Sequence, residues 1–405
     1  MTLNPLETRM TSRILGAVLL IIGTCVGGGI LALPMVTAGL NGATILALLI
    51  SVWIVMTLSA MLIVELNLNL QGYTNLISMA KVTLGRTGVI FTWLIYLLLL
   101  YALLSLYLAG GTDLTKGLLA LVDVHISNPL ATLLFLVLFA AILYRGITWV
   151  DWSNRGLMSV KFLTFFILLI VLLPFDHESY LNWGADTIKP VTAIMPIVFS
   201  FGFGIIVPSL VIYLSRNRRA IRSAVLIGSL FPLLAYIAWI FSVSGSVSLP
   251  VLKALVNSPD SISGLALSVS QATSSHSVSF LVHLFTTICI TTSFLGVSIS
   301  LLDFLTDGLH LKKVRHTVPW RVMALAFLPP LLIILLNPGI FIILLKYAGT
   351  LCVLLLILLP TAMAWSARYW KKIMAQPPFY SHWLILLANA LAGFFLLYLA
   401  AKDIF

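Results

Sequence analysis

Side chains that could do chemistry are scarce here, and several sit inside long apolar runs. Of 405 residues, 61% are hydrophobic and 9% charged. Lys161, in "NRGLMSVKFLTFF", stands about two turns into one such run. A charge deep in a membrane helix costs roughly 2.5–3.5 kcal/mol on insertion scales, so each one is a functional candidate. A desolvated amine also releases its proton readily, which suits Lys161 to proton coupling. The competing account is snorkelling to the membrane surface, which is favoured for Lys346. Glu65 and Asp303 end apolar runs and are read as gate or ion-pair residues. His283 reads as a hydrogen-bonded packing residue.

The second chemical resource is the backbone. "IIGTCVGGGILALP" (Ile21 to Pro34) and "PVTAIMPIVFSFGFGIIVPSLVIYL" (Pro190 to Leu214) each place glycines in mid-run with a proline close behind. An unpaired amide in hydrocarbon costs several kcal/mol, so a break there needs something polar to satisfy it. Half-helix N-termini favour a carboxylate, and freed carbonyls favour an ammonium. A zwitterion carries both. Gly23, Thr24, Gly27, Gly28 and Gly29 at the first break, with Ser200, Phe201, Gly202 and Phe203 at the second, are therefore the candidate substrate contacts. "GTCVG" also fits the G-x-x-x-G packing pattern, and the hydroxyls of Thr24 and Ser200 could simply return to their own helix carbonyls.

The elements that position these residues follow from hydropathy. A soluble domain carries about 25% charged residues, so this chain is an all-α polytopic membrane protein. At about 20 apolar residues per crossing, eleven spans are expected near 13–38, 42–65, 89–110, 129–147, 155–174, 191–214, 223–245, 277–303, 319–336, 339–365 and 380–401. The connections 66–88 and 246–276 have room for short surface helices. The run after Arg9 and Arg13 continues too far for a signal peptide.

With the N-terminus inside, the inner side carries Arg9, Arg13, Lys81, Arg86, Arg145, Arg155, Lys161, Arg216, Arg218, Arg219, Arg222, Lys312, Lys313, Arg315, Arg321, Arg368, Lys371 and Lys372. The outer side carries only Lys116, Lys189, Lys253 and Lys402. Eighteen against four fixes the orientation by the positive-inside rule. The formal charge of +11 is thus a topology signal, and no nucleic-acid partner is expected. Cys25, Cys289 and Cys352 are far apart in apolar runs, without metal-ligand or disulfide spacing. With twelve acidic residues, no H-E-x-x-H and no P-loop, neither an enzyme nor a metal or cofactor site is expected. A channel is the rival, since broken helices also build selectivity filters.

Breaks at spans 1 and 6 point to an inverted repeat. Residues 13–174 form the first five-helix unit, 191–365 the second, and 380–401 an extra helix, all within one transporter domain spanning 1–405.

"GTCVGGGILALP", "FGFGIIVPSLVIYL", "TSFLGVSISLLDF", "YLLLLYALLSLYLAGG" and "KYAGTLCVLLLILLP" together resemble the hydroxy/aromatic amino acid permeases, the tyrosine-specific members above all. The likeness covers nearly the whole chain in order. It implies the amino acid–polyamine–organocation (APC) superfamily and a LeuT-like 5+5 fold with broken helices 1 and 6. It also implies proton symport of an aromatic amino acid across a bacterial inner membrane; the odd span count puts the C-terminus in the periplasm, and a monomer is expected. In that fold spans 3 and 8 face the breaks, adding Tyr101, Thr291, Thr292 and Ser293 as contacts. A lysine on the fifth helix of proton-coupled relatives sits where sodium transporters hold an ion, which matches Lys161. One departure stands out. Where the family commonly reads Phe-Gly-Phe-His-Gly, Gly204 replaces the histidine and Ile205 the glycine, so no role of that histidine carries over.

Overall fold

The computed structural model describes residues 5–70, 75–120, 122–144, 147–173, 184–308, 320–337, 339–373 and 382–404, without the side chains of 5–10, 144, 147–155 and 404. Of the basic residues counted above, Arg145, Lys312, Lys313 and Arg315 lie outside that set, as do the side chains of Arg9 and Arg155. So do the ends of several expected spans. Every regular element among the described residues is helical, as lipid demands of a backbone that must satisfy itself.

The first span is two helices, α1 (Pro5–Cys25) and α2 (Gly28–Val36), bent by 51°. α3 (Gly42–Asn69) starts at Asn41, whose side chain accepts from the Ala43 amide. α4 (Leu76–Ala120) joins a surface helix to span 3 through a kink at Gly85, where φ is +75°. It runs ten residues past the expected end at 110, because hydropathy marks the apolar stretch whereas a helix continues until something breaks it. α5 (Asn128–Tyr144) and α6 (Ile147–Leu172) complete the first half.

The sixth span is α7 (Val191–Ser200), a 3₁₀ turn (Gly202–Ile206) and α8 (Val207–Tyr213) with Pro208 in its first turn. α9 (Arg218–Ser246) is capped by the Asn217 side chain. α10 (Leu249–Val256) and α11 (Ser261–Thr273) occupy the connection expected to hold surface helices. α12 (His276–Gly308) and α13 (Trp320–Leu336) follow. The tenth span is α14 (Phe341–Cys352), a π-helical stretch (Val353–Leu358), α15 (Leu359–Trp365) and a second π stretch (Ser366–Trp370). The chain ends in α16 (Trp383–Ile404).

Among the described residues seven helices are long and apolar enough to cross a membrane, and the bent α1–α2 pair makes an eighth. The apolar helices at 128–143, 156–172 and 320–336 are shorter. Val137, Ile170, Leu328 and Phe394 point outward and exposed, as lipid-facing side chains do.

Inside, α1 packs on α9, α12 on α4 and α6, and α14 on α7. The last contact is backbone against backbone: a Cβ at Gly349 would stand 2.2 Å from the Met195 carbonyl oxygen. That contact seats the broken sixth span against the tenth.

Candidate substrate site

The two breaks meet in the core. α1 ends at Cys25 and α7 at Ser200, and each end frees a carbonyl that has no helical partner. One phenol reaches both, its single proton shared between them: Tyr236 of α9, fully buried, lies 2.8 Å from the Cys25 oxygen, which also accepts from the Gly27 amide at 2.9 Å, and 2.6 Å from the Ser200 oxygen. The Phe201 ring packs edge-on against it, centroids 5.0 Å apart.

Beside the breaks lies a cavity of about 440 Å³, in the usual range for small-molecule sites. Gly23, Thr24, Gly27 and Gly29 line it from span 1, and Ser200 and Gly202 from span 6. Thr292 and Ser293 come from α12, while Tyr96, Leu99, Leu100, Leu103 and Tyr107 form one face of α4. Leu20, Thr24, Ser209, Gly296 and Ser300 are its exposed members. They lie toward the end of the bundle where Arg13 bonds Ser215 at 3.0 Å. Around the first break, Tyr107 and Ser200 are buried and Phe199 half-buried. The cavity thus joins a polar, main-chain-rich end to apolar walls studded with aromatic rings.

Eight of the thirteen expected contacts line this space, and five do not. Gly28 is buried behind the Tyr107 ring, which a Cβ there would approach to 2.6 Å. Phe201 is turned onto Tyr236, and Phe203 is fully buried off the cavity wall. Thr291 is buried outside it. Tyr101 lies off the 96–99–100–103–107 face, and its hydroxyl donates to the Leu325 carbonyl of α13 at 2.9 Å. Tyr107, six residues on, occupies the position expected of it, on the cavity wall with Ser293. The hydroxyls of Thr24, Ser200 and Thr292 all return to carbonyls four residues back (2.8, 2.9 and 2.8 Å).

Lys161 does not snorkel. It is 1% exposed, one turn beyond Met158 of the cavity wall, with Nζ 5.8 Å from the Phe162 ring centroid and within electrostatic reach of Cys289 on α12. Lys346 pairs its ammonium with Asp403, in the last turn of α16, at 2.8 Å. Glu65 forms a buried ion pair with Arg368. Nearby, Arg216 donates to the Asn67 and Leu68 carbonyls (2.8 and 3.0 Å) at the end of α3. Asp303 is half-buried and engaged near the end of α12. His283 is buried, and its Nε2 has no partner among the described residues, which corrects the hydrogen-bonded reading. Gly204 is buried off the cavity wall, facing Ile63 and Leu356. No metal-ligating cluster occurs among the described residues.

Two broken helices beside a shared cavity within a helical bundle define a membrane protein of the LeuT-like 5+5 fold. Its backbone aligns with a manganese transporter of Eremococcus coleocola at a TM-score of 0.64 and 13% identity, covering 100% of this chain and 88% of that one.

The family itself is fixed by sequence: residues 10–383 match the tryptophan/tyrosine permease family, and the chain belongs to it. Tyrosine-specific transport system 1 of Haemophilus influenzae is 33% identical over 88% of this chain and 89% of its own length. Glutamine transporter 2 of Aliivibrio fischeri is 28% identical over 89% of this chain and 90% of its own. The chain is therefore an amino-acid permease of the membrane, and not an enzyme.

Proposed function

We propose that this permease imports an aromatic amino acid, tyrosine first, together with a proton across a bacterial inner membrane by alternating access. In this reading a monomer crosses eleven times, N-terminus cytoplasmic and C-terminus periplasmic. Its repeats are 13–174 and 191–365, with 380–401 added outside them. The basic-residue bias supports that orientation, which makes the present cavity inward-facing.

The supporting observation is the cavity's two-ended chemistry. Main-chain groups at Gly23–Gly29 and Ser200–Gly202 suit an ammonium and a carboxylate, while Tyr96, Tyr107 and Phe199 offer an aromatic ring offset or edge contacts and Leu103 an apolar one. Gly204, where the family has a histidine, faces Ile63 and Leu356 off the cavity wall and brings no polar group to the pocket. In this reading Lys161, buried one turn from Met158, exchanges a proton in step with movement of the first break. Glu65–Arg368 and the half-buried Asp303 belong to the inner gate.

Uptake of labelled tyrosine, tryptophan, phenylalanine, leucine and glutamine into proteoliposomes, with and without an inward proton gradient, tests the reading. Saturable accumulation of the aromatic acids above equilibrium is expected only with the gradient. Equilibration without accumulation indicates a channel, a glutamine preference overturns the substrate, and drive by sodium with protons clamped overturns the coupling. Lys161→Ala should retain part of the binding and lose gradient-driven uptake. Unchanged accumulation removes Lys161 from the mechanism.

A further inference from the structure

A second cavity, about 900 Å³, opens on the flank of the bundle between the start of α4, the π-helical tenth span and α16. Its walls are apolar: Phe91, Leu354, Leu358, Leu387, Ala390 and Phe394 among them. The polar groups that reach it are largely occupied within the protein. Ser366 donates to the Thr83 carbonyl, and Thr361 donates to Ile357 at 2.7 Å while accepting from Asn389 at 2.8 Å.

A space this large does not stay empty in a close-packed membrane, since its lining would forfeit dispersion contacts along its whole length. Water would find too few partners there, whereas hydrocarbon loses nothing. Along α16 the lining runs from Leu386 to Leu397, about 17 Å at 1.5 Å per residue. That matches one leaflet's share, about 15 Å, of the hydrocarbon core.

The groove also has a signed end. Lys371 lines it, exposed, with Nζ 2.6 Å from the Val82 carbonyl. Lys372 follows it, and Lys81 and Arg86 are exposed on the adjoining stretch of α4. Residues 76–92, 354–373 and 382–397, the three walls, contain no aspartate or glutamate. Trp365 and Trp370 stand at the same end, where indoles mark the membrane interface.

We infer that this groove binds one anionic glycerophospholipid, an acyl chain lying along α16 and the phosphate held by Lys371 and Lys372. The site is independent of the cargo and of the direction of transport.

The full-length protein, purified in detergent and stripped of lipid, is titrated with phosphatidylglycerol or with phosphatidylcholine of the same chains. Native mass spectrometry counts the lipids retained. One phosphatidylglycerol per chain is expected, with phosphatidylcholine on the order of tenfold weaker. K371A/K372A, both on the exposed surface, should bring the two lipids level. A390W, which fills the groove, should abolish retention of both while melting temperature and elution volume stay near those of the parent. Equal retention of both lipids by the parent overturns the headgroup assignment. Retention untouched by A390W in a folded protein overturns the groove, as does co-purification of a second polypeptide in place of the lipid.

Discussion

The two breaks look alike in sequence and differ in what their glycines are for. At the first, a Cβ on Gly27 would stand 2.7 Å from the Ser293 hydroxyl, on Gly28 2.6 Å from the Tyr107 ring, and on Gly29 2.6 Å from the Ser200 hydroxyl. At the second, a Cβ on Gly202 would meet only Cys352 Sγ, at 3.7 Å, and one on Gly204 would meet Ile63 at 3.5 Å. None of the five has a positive φ. Glycine at the first break therefore buys closeness between helices, whereas at the second the space is already there. The first break is crowded and bent by 51°; the second is roomier and bridged by a 3₁₀ turn.

The largest effect should come from removing what the breaks share. Tyr236→Phe keeps the ring beside Phe201 but removes the hydroxyl from the Cys25 and Ser200 carbonyls, leaving Cys25 its bond from the Gly27 amide. A buried group left unsatisfied costs about 1–3 kcal/mol, and the Ser200 carbonyl is the one exposed to that loss, since Cys25 keeps the Gly27 amide. Uptake should fall by ten- to a hundredfold in both the binding and the transport steps, with the protein still reaching the membrane. A variant that transports normally would mean the Ser200 carbonyl is held some other way.

Next in size is crowding at the first break. Gly29→Ala pushes a methyl against Ser200 Oγ and, at 3.1 Å, against the Phe199 ring. Overpacking of this kind costs about 1–3 kcal/mol, so uptake should drop roughly tenfold or more. Ser200→Ala removes the nearer obstacle. A double-mutant cycle should then show partial recovery, measured as uptake per unit of folded protein. Strict additivity would mean that the two side chains do not meet.

Both break positions were legible because glycine and proline in mid-span have a local physical meaning. Which face of a neighbouring helix turns toward them does not. Tyr101 was the natural choice by residue type, yet helical geometry put Tyr107 on the cavity face with Tyr96, Leu99, Leu100 and Leu103. Nothing in "YLLLLYALLSLYLAGG" distinguishes one apolar face from another. Tyr236 had no local signal either, since its role exists only where α1 and α7 end side by side. Lys346 illustrates the same limit: surface and ion pair compete for an ammonium, and the competing partner, Asp403, lies on the last helix. The hydroxyl bonds of Thr24 and Ser200 were foreseeable as the local alternative, because a helix always presents a carbonyl four residues back, and Thr292 follows the same rule.

The smallest effect, and the sharpest test of the contrast, belongs to Gly202→Ala. The added methyl meets ordinary van der Waals distance to Cys352 Sγ, and the φ of Gly202 lies outside the left-handed region. On space alone, uptake should stay within about twofold of the parent, since surplus room absorbs one methyl without strain. Gly202 also lines the cavity, so a shift in substrate affinity at unchanged maximal rate is the expected trace. If maximal rate instead collapses as it does for Gly29→Ala while affinity holds, the second break needs glycine for a conformation other than this one. The 3₁₀ turn would then be the element that rearranges during transport, and the first break the one that stays packed.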